Sequence, residues 1–158
     1  MKSLAEIKSE VDRRAALIGA GGHPALPTYG QTEDGARPHI EVDSRGYQFV
    51  VVERGQERSR FTTHDLDELL YRIFQSVTFD LAVSYELAHR VETQDSRRVV
   101  FKREVELLTQ LSPVWGERER TEHQCILSKH PFDDHSVTRA RLSAQVGWQR
   151  ACEQYPLP

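Results

Sequence analysis

Glu86 and His89 stand three residues apart in a stretch with helical apolar spacing. That interval puts a carboxylate and an imidazole on one helix face about one turn apart. Di-iron carboxylate bundles use such a pair, but they need two of them and two further glutamates, and only one such pair stands here. The competing reading is a structural polar cluster. Glu86, His89, Arg90, Gln94, Asp95, Arg97 and Arg98 gather around one helix–helix corner, where paired charges would set the angle between the second and third helices. The richest group of potential ligands is His123-x-Cys125 with His130, Asp133, Asp134 and His135. Structural zinc takes four ligands at recurrent spacings, usually with paired cysteines or a histidine pair, and this spacing follows none of them. Surface histidines beside a half-buried cysteine are the simpler reading, and the sequence leaves open whether His123, Cys125, His130 and His135 bind metal.

No other catalytic fingerprint is present. The chain has no P-loop, no G-x-G-x-x-G, no H-E-x-x-H and no G-x-S-x-G. Gly19-Ala20-Gly21-Gly22 is glycine-rich, but it follows a helix, and a phosphate loop must lead into one. Ser, His and Asp all occur, yet a triad is defined by geometry, which spacing alone does not supply. A second kind of chemistry is electrostatic. Asp65, Asp67 and Glu68 suit the positive end of a helix dipole, and with Glu41 and Asp43 they could form an acidic patch that steers a basic partner.

The elements that must position these groups follow from periodicity. Leu4, Ile7, Val11, Ala15 and Ile18 predict an amphipathic helix over 3–18, stopped by the glycines and Pro24. Residues 20–37 read as a Gly- and Pro-rich loop. A three-stranded antiparallel meander is expected over 38–62: a half-wet strand around Ile40 and Val42, a central Tyr47–Glu53, and a charged edge at Glu57–Thr62. Thr62 or Thr63 is the expected cap of a second helix, whose face is Leu66, Leu69, Leu70, Ile73, Phe74, Val77 and Leu81, with a bend expected near Val77–Phe79. A third helix turns Val99, Phe101, Val105, Leu108 and Leu111 inward, and Pro113 opens a fourth, charged one. The helical part thus spans 63–130. Residues 131–158 form a tail or one more helix with a thin apolar face. The expected fold is a single α+β domain over 1–158, a small meander packed against four to five helices.

Composition fits one globular domain: 158 residues, 38% hydrophobic and 28% charged, with a net charge of −3. That balance argues against a nucleic-acid partner. No stretch approaches the roughly 20 apolar residues of a membrane span, and the first residues lack the apolar core of a signal peptide. A cytosolic address is expected, with Cys125 and Cys152 reduced. Oligomeric state is left open.

Four segments in order carry a family resemblance: Tyr47–Gly55 (Y-Q-F-V-V-V-E-R-G), Thr63–Tyr71 (T-H-D-L-D-E-L-L-Y), Tyr85–Arg90 (Y-E-L-A-H-R) and Gln94–Arg98 (Q-D-S-R-R). Together the chain over roughly 28–115 resembles the immunity protein 63 family, partners of bacterial polymorphic toxins. Arg72 departs from the pattern, standing where the family carries an aromatic residue. The resemblance implies a cytosolic immunity protein that binds and neutralises a cognate secreted toxin domain, without catalysis and without a cofactor. Expected partner contacts are Tyr29, Glu41, Asp43, Asp65, Asp67 and Glu68. Two other classes compete. One is a small metal-dependent enzyme using Glu86, His89 and the His123–His135 group; the other is a regulatory adaptor with an unrelated protein partner.

Overall fold

The computed structural model describes all residues, 1–158. Helix α1, Leu4–Leu17, starts at a capping box in which the Ser3 hydroxyl accepts from the Glu6 backbone N–H and the Glu6 carboxylate accepts from that of Ser3. Its stripe of Ile7, Val11 and Ala15 is fully buried, as the four-residue spacing requires.

The segment read as a loop holds a fourth strand. β1, Thr28–Tyr29, lies parallel to β2, Gly35–Asp43, with Tyr29 opposite Ile40. β2 also begins three residues earlier than the expected 38. β3, Gly46–Glu53, and β4, Gln56–Thr63, complete a sheet in the order β1-β2-β3-β4. The sheet is therefore mixed and four-stranded, not a purely antiparallel three-stranded meander. A two-residue strand is too short to leave an alternating pattern, and Pro38 and a register shift between Gly35 and Pro38 disguise the start of β2.

β3 is central as its apolar composition predicts. Pairing sets Ile40, Phe49 and Phe61 in one row across the sheet, on the face that meets the helices. The opposite row is His39, Val50 and Arg60, flanked by Glu41, Gln48 and Thr62.

α2, Leu66–Ala88, is capped by Asp65, whose carboxylate accepts from the Asp67 N–H; Thr63 instead accepts from the Asp65 N–H. The helix runs unbroken through Val77–Phe79, where Val77 and Thr78 are fully buried and the Thr78 hydroxyl donates to the Phe74 carbonyl. α3, Arg97–Leu111, buries Val100, Glu104, Leu107 and Leu108. Of the expected inward set only Leu108 is fully buried; Val99, Phe101, Val105 and Leu111 are half-buried. α4, Pro113–Lys129, opens on its proline and returns along α3. The tail is ordered as two short helices, α5 (Ser136–Val146) and α6 (Trp148–Gln154), separated by Gly147 at φ +88°. A side chain would be strained there, so one continuous helix over Val137–Tyr155 does not form. The helices number six, against the four to five expected.

The core lies between the sheet and α1, α2 and α3, with Trp115 of α4 closing it. Trp115 of α4 is 1% exposed, stacks near Phe74, meets Tyr71 edge-on and donates its indole N–H to Asp67 at 3.0 Å. Next to it Gly116 lets α4 approach α3. A Cβ there would collide with the Thr109 side chain and stand 3.1 Å from its Cα. Gly116→Ala should therefore destabilise the protein by about 1–3 kcal/mol despite alanine's better helix propensity. Gly21→Ala, which has open space around it, should stay within about 0.5 kcal/mol. Urea unfolding of both variants checks this; a Gly116→Ala protein as stable as the parent would contradict the close approach.

Candidate functional site

Glu119 and His123 are four residues apart on α4, so they share one face, and Glu104 projects from the facing side of α3. All three are at least 94% buried. His123 Nε2 lies 3.1 Å from Glu104 Oε2 and 3.1 Å from Glu119 Oε1. The other oxygen of Glu119 is held from α2: Tyr71 donates its hydroxyl to Oε2 at 2.7 Å, and Gln75 donates its amide at 3.0 Å. Phe101 stacks flat on the imidazole, with ring centroids 3.9 Å apart. A cavity of about 390 Å³ opens beside the group, walled by Phe49, Val51, Phe79, Phe101 and Ile126.

The electrostatics follow from that crowding. Burial works against charge on His123, but its two carboxylate partners outweigh it and raise the imidazole to about 9. Burial pushes Glu104 above the usual carboxylate range, with His123 opposing. It pushes Glu119 the same way, yet His123, Tyr71 and Gln75 together hold that carboxyl below its usual value. Chemically, three ligand atoms converge on one point, where they can hold a proton or a cation.

Of the sequence candidates, His123 belongs to this group, but its expected companions do not. Cys125 is exposed, and so are His130 and His135. The signal for the true partner was Glu119-x-x-x-His123 at one-turn spacing. Glu104 gave none, because a glutamate among Val100, Leu107 and Leu108 reads as an interruption of an apolar stripe. Glu86-x-x-His89 does not converge either. Both Glu86 oxygens accept from the Arg90 guanidinium at 2.9 Å, while His89 is exposed and stacks on Tyr85 at 4.1 Å.

The rest of the expected polar cluster forms a corner, but one that ties α3 to the chain after α4, and not α2 to α3. Arg97 grips Asp95 and donates to the His130 and Pro131 carbonyls. Arg98 pairs with Asp134 at 2.8 Å, and Asp95 accepts the Asp133 backbone N–H at 2.9 Å. The buried Arg139 is saturated by Asp133 and by the Tyr155 and Pro156 carbonyls.

The proposed partner contacts lie at two places. Tyr29 sits half-buried on the β1 edge, packed against the core. Glu41 and Asp43 are on β2, and Asp43 pairs with Gly46 while Tyr47 pairs with Thr63. The β2–β3 turn and the start of α2 therefore share one end of the molecule, with Asp65, Asp67 and Glu68. Most of these acids face an arginine or a hydrogen-bond donor. Glu41 meets Arg60 at 2.6 Å, Asp43 meets Arg45 at 2.7 Å and Glu68 meets Arg118 at 2.5 Å. Asp67 carries the Trp115 indole. Hydrogen bonds from Arg45 take Asp43 down to about 2.

A sequence model of the family described as immunity protein 63 matches residues 43–125. No curated protein and no solved structure matches the chain. No helix is long and apolar enough to cross a membrane.

The corner holding α5 and α6 should be acid-sensitive. Hydrogen bonds from Arg139 lower Asp133, and those from Arg98 take Asp134 to about 2. For Asp95, burial opposes the charge, but Arg97 and two backbone N–H groups outweigh it and lower the carboxyl. Carboxylates depressed on folding add stability above their unfolded value and lose it as pH falls through the folded one. Hydrogen exchange, corrected for intrinsic rate, should show α5 and α6 losing protection before α2 between pH 3.8 and about 2. Simultaneous loss across all helices would refute this.

Proposed function

The chain belongs to the immunity protein 63 family, and on that premise we propose that it is a cytosolic immunity protein that binds and neutralises one cognate secreted bacterial toxin domain. The observation that carries the reading is the family match over residues 43–125, which takes in β3, β4, α2, α3 and most of α4. An inhibitor of this kind needs a stable core and a complementary surface, with no group that reacts. It acts by occluding or distorting the toxin.

The contact surface on this reading is the end of the molecule formed by the β2–β3 turn and the first turn of α2. Asp43 and Glu68 are the acids to change, since their side chains are 40% and 38% exposed. Asp65 and Asp67 are poorer choices, as they cap α2 and hold Trp115. Tyr29 on the sheet edge adds an aromatic anchor of the kind that dominates interface energetics.

A tagged pull-down from the native bacterium tests the function. The C-terminal domain of a large secreted protein should co-purify at equal stoichiometry, and co-expression should protect cells from that domain. Recovery of the protein alone, or with metabolic enzymes, would overturn the proposal. Given the toxin, Asp43→Lys with Glu68→Lys should raise Kd at least about tenfold, mainly through faster dissociation. Unchanged affinity would remove that end of the molecule from the interface.

A further inference from the structure

We propose that Glu104, Glu119 and His123 bind one divalent cation of the zinc class, clamping α3 to α4 beneath the sheet. Three features of the site converge on this.

The first is ligand geometry. Zinc bonds to nitrogen and oxygen near 2.0–2.2 Å place neighbouring tetrahedral ligands about 3.3–3.5 Å apart. His123 Nε2 stands 3.1 Å from an oxygen of each glutamate, and all three donor atoms lie within 4.8 Å of one another. The remaining carboxylate-to-carboxylate side closes by rotation about a terminal glutamate torsion, which is soft. The neighbouring cavity of about 390 Å³ leaves room for water at a fourth position.

The second is the outer layer. Carboxylate ligands are held by further hydrogen bonds that aim one oxygen at the ion. Glu119 has that arrangement: Tyr71 and Gln75 occupy Oε2 at 2.7 and 3.0 Å, and Oε1 is left facing His123. The stack of Phe101 fixes the plane of the imidazole.

The third is the donor set, two carboxylate oxygens and one imidazole nitrogen. An imidazole in the donor set selects zinc-class metals over Mg²⁺, which prefers all-oxygen octahedra.

The test uses the full-length protein, stripped with a chelator and titrated with Zn²⁺ and separately with Mg²⁺ by calorimetry. One Zn²⁺ per chain is expected, with no saturable Mg²⁺ binding. At zinc 100-fold above Kd, Tm should rise by about 5–10 °C. Glu104→Gln and Glu119→Gln should each weaken binding at least tenfold, whereas His130→Ala, on the surface, should leave it unchanged. Absence of saturable zinc binding, or binding that survives both glutamine variants, overturns the proposal. If the variants fail to fold by circular dichroism, the wild-type Co²⁺ spectrum decides. Tetrahedral d–d bands without sulfur charge transfer support the site; a sulfur band, or no d–d bands, rejects it.

Discussion

Helix α2 is packed on the sheet along one side and against α3 and α4 along another, and most of the remaining structure answers to that double burial. Leu69, Leu70, Ile73, Phe74 and Val77 fill the interior at 2% exposure or less. Tyr71 and Thr78 carry hydroxyls inside, and each finds a partner, Glu119 for the first and the Phe74 carbonyl for the second. Trp115 closes the other end by packing on Tyr71 and Phe74 while its N–H returns to Asp67 in the first turn of α2. One aromatic residue thus couples the entry of α4 to the entry of α2, and Gly116 beside it sets how near α3 can come.

That architecture also places a charged group inside, where α3 and α4 face α2. Tyr71 and Gln75 of α2 meet α4 there through Glu119, which in turn faces His123. Glu104, Glu119 and His123 join α3 to α4 with directional contacts. Breaking such a set by removing one member leaves the others buried and uncompensated, which costs more than the intact set contributes. The arrangement therefore specifies how the helices are seated more than it adds to stability, and a bound ion would strengthen that role.

Much of the fold was legible because strong periodicity survives in the sequence. The α1 stripe, the central position of β3 and the apolar face of α2 are each set by several residues repeating at one interval, so no tertiary information was needed to read them. The failures have local causes. β1 is two residues long and depends on the edge of β2. Asp65 caps α2 in place of Thr63 because the threonine hydroxyl is used one step earlier, on the Asp65 N–H itself. In α3 the half-buried Phe101 and Val105 set the expected face one residue aside of the buried Val100, Glu104, Leu107 and Leu108. The site was half legible. His123 was legible only as one of several potential ligands, with a surface histidine the simpler reading; Glu119 lies at helical spacing before it, but a contact between Glu104 and His123 crosses from one helix to another and leaves no periodic trace.

The surface carries its own lesson about recognition. Acids that would make a patch by sequence are matched, on the folded protein, by arginines from β4, the β2–β3 turn and α4: Arg60 for Glu41, Arg45 for Asp43, Arg118 for Glu68. Arg60 extends over the outer sheet face, reaching Glu41 and Glu57 and contacting Gln48, so the fully buried Gln48 and Val50 are covered by a side chain and not by another layer. Such a surface presents alternating local charge with a net charge of only −3. Its long-range field is weak, and screening beyond about 10 Å weakens it further. Selectivity for one partner must then come from matching individual charges at contact, because an unmatched partner would strand a carboxylate or a guanidinium already committed to its neighbour.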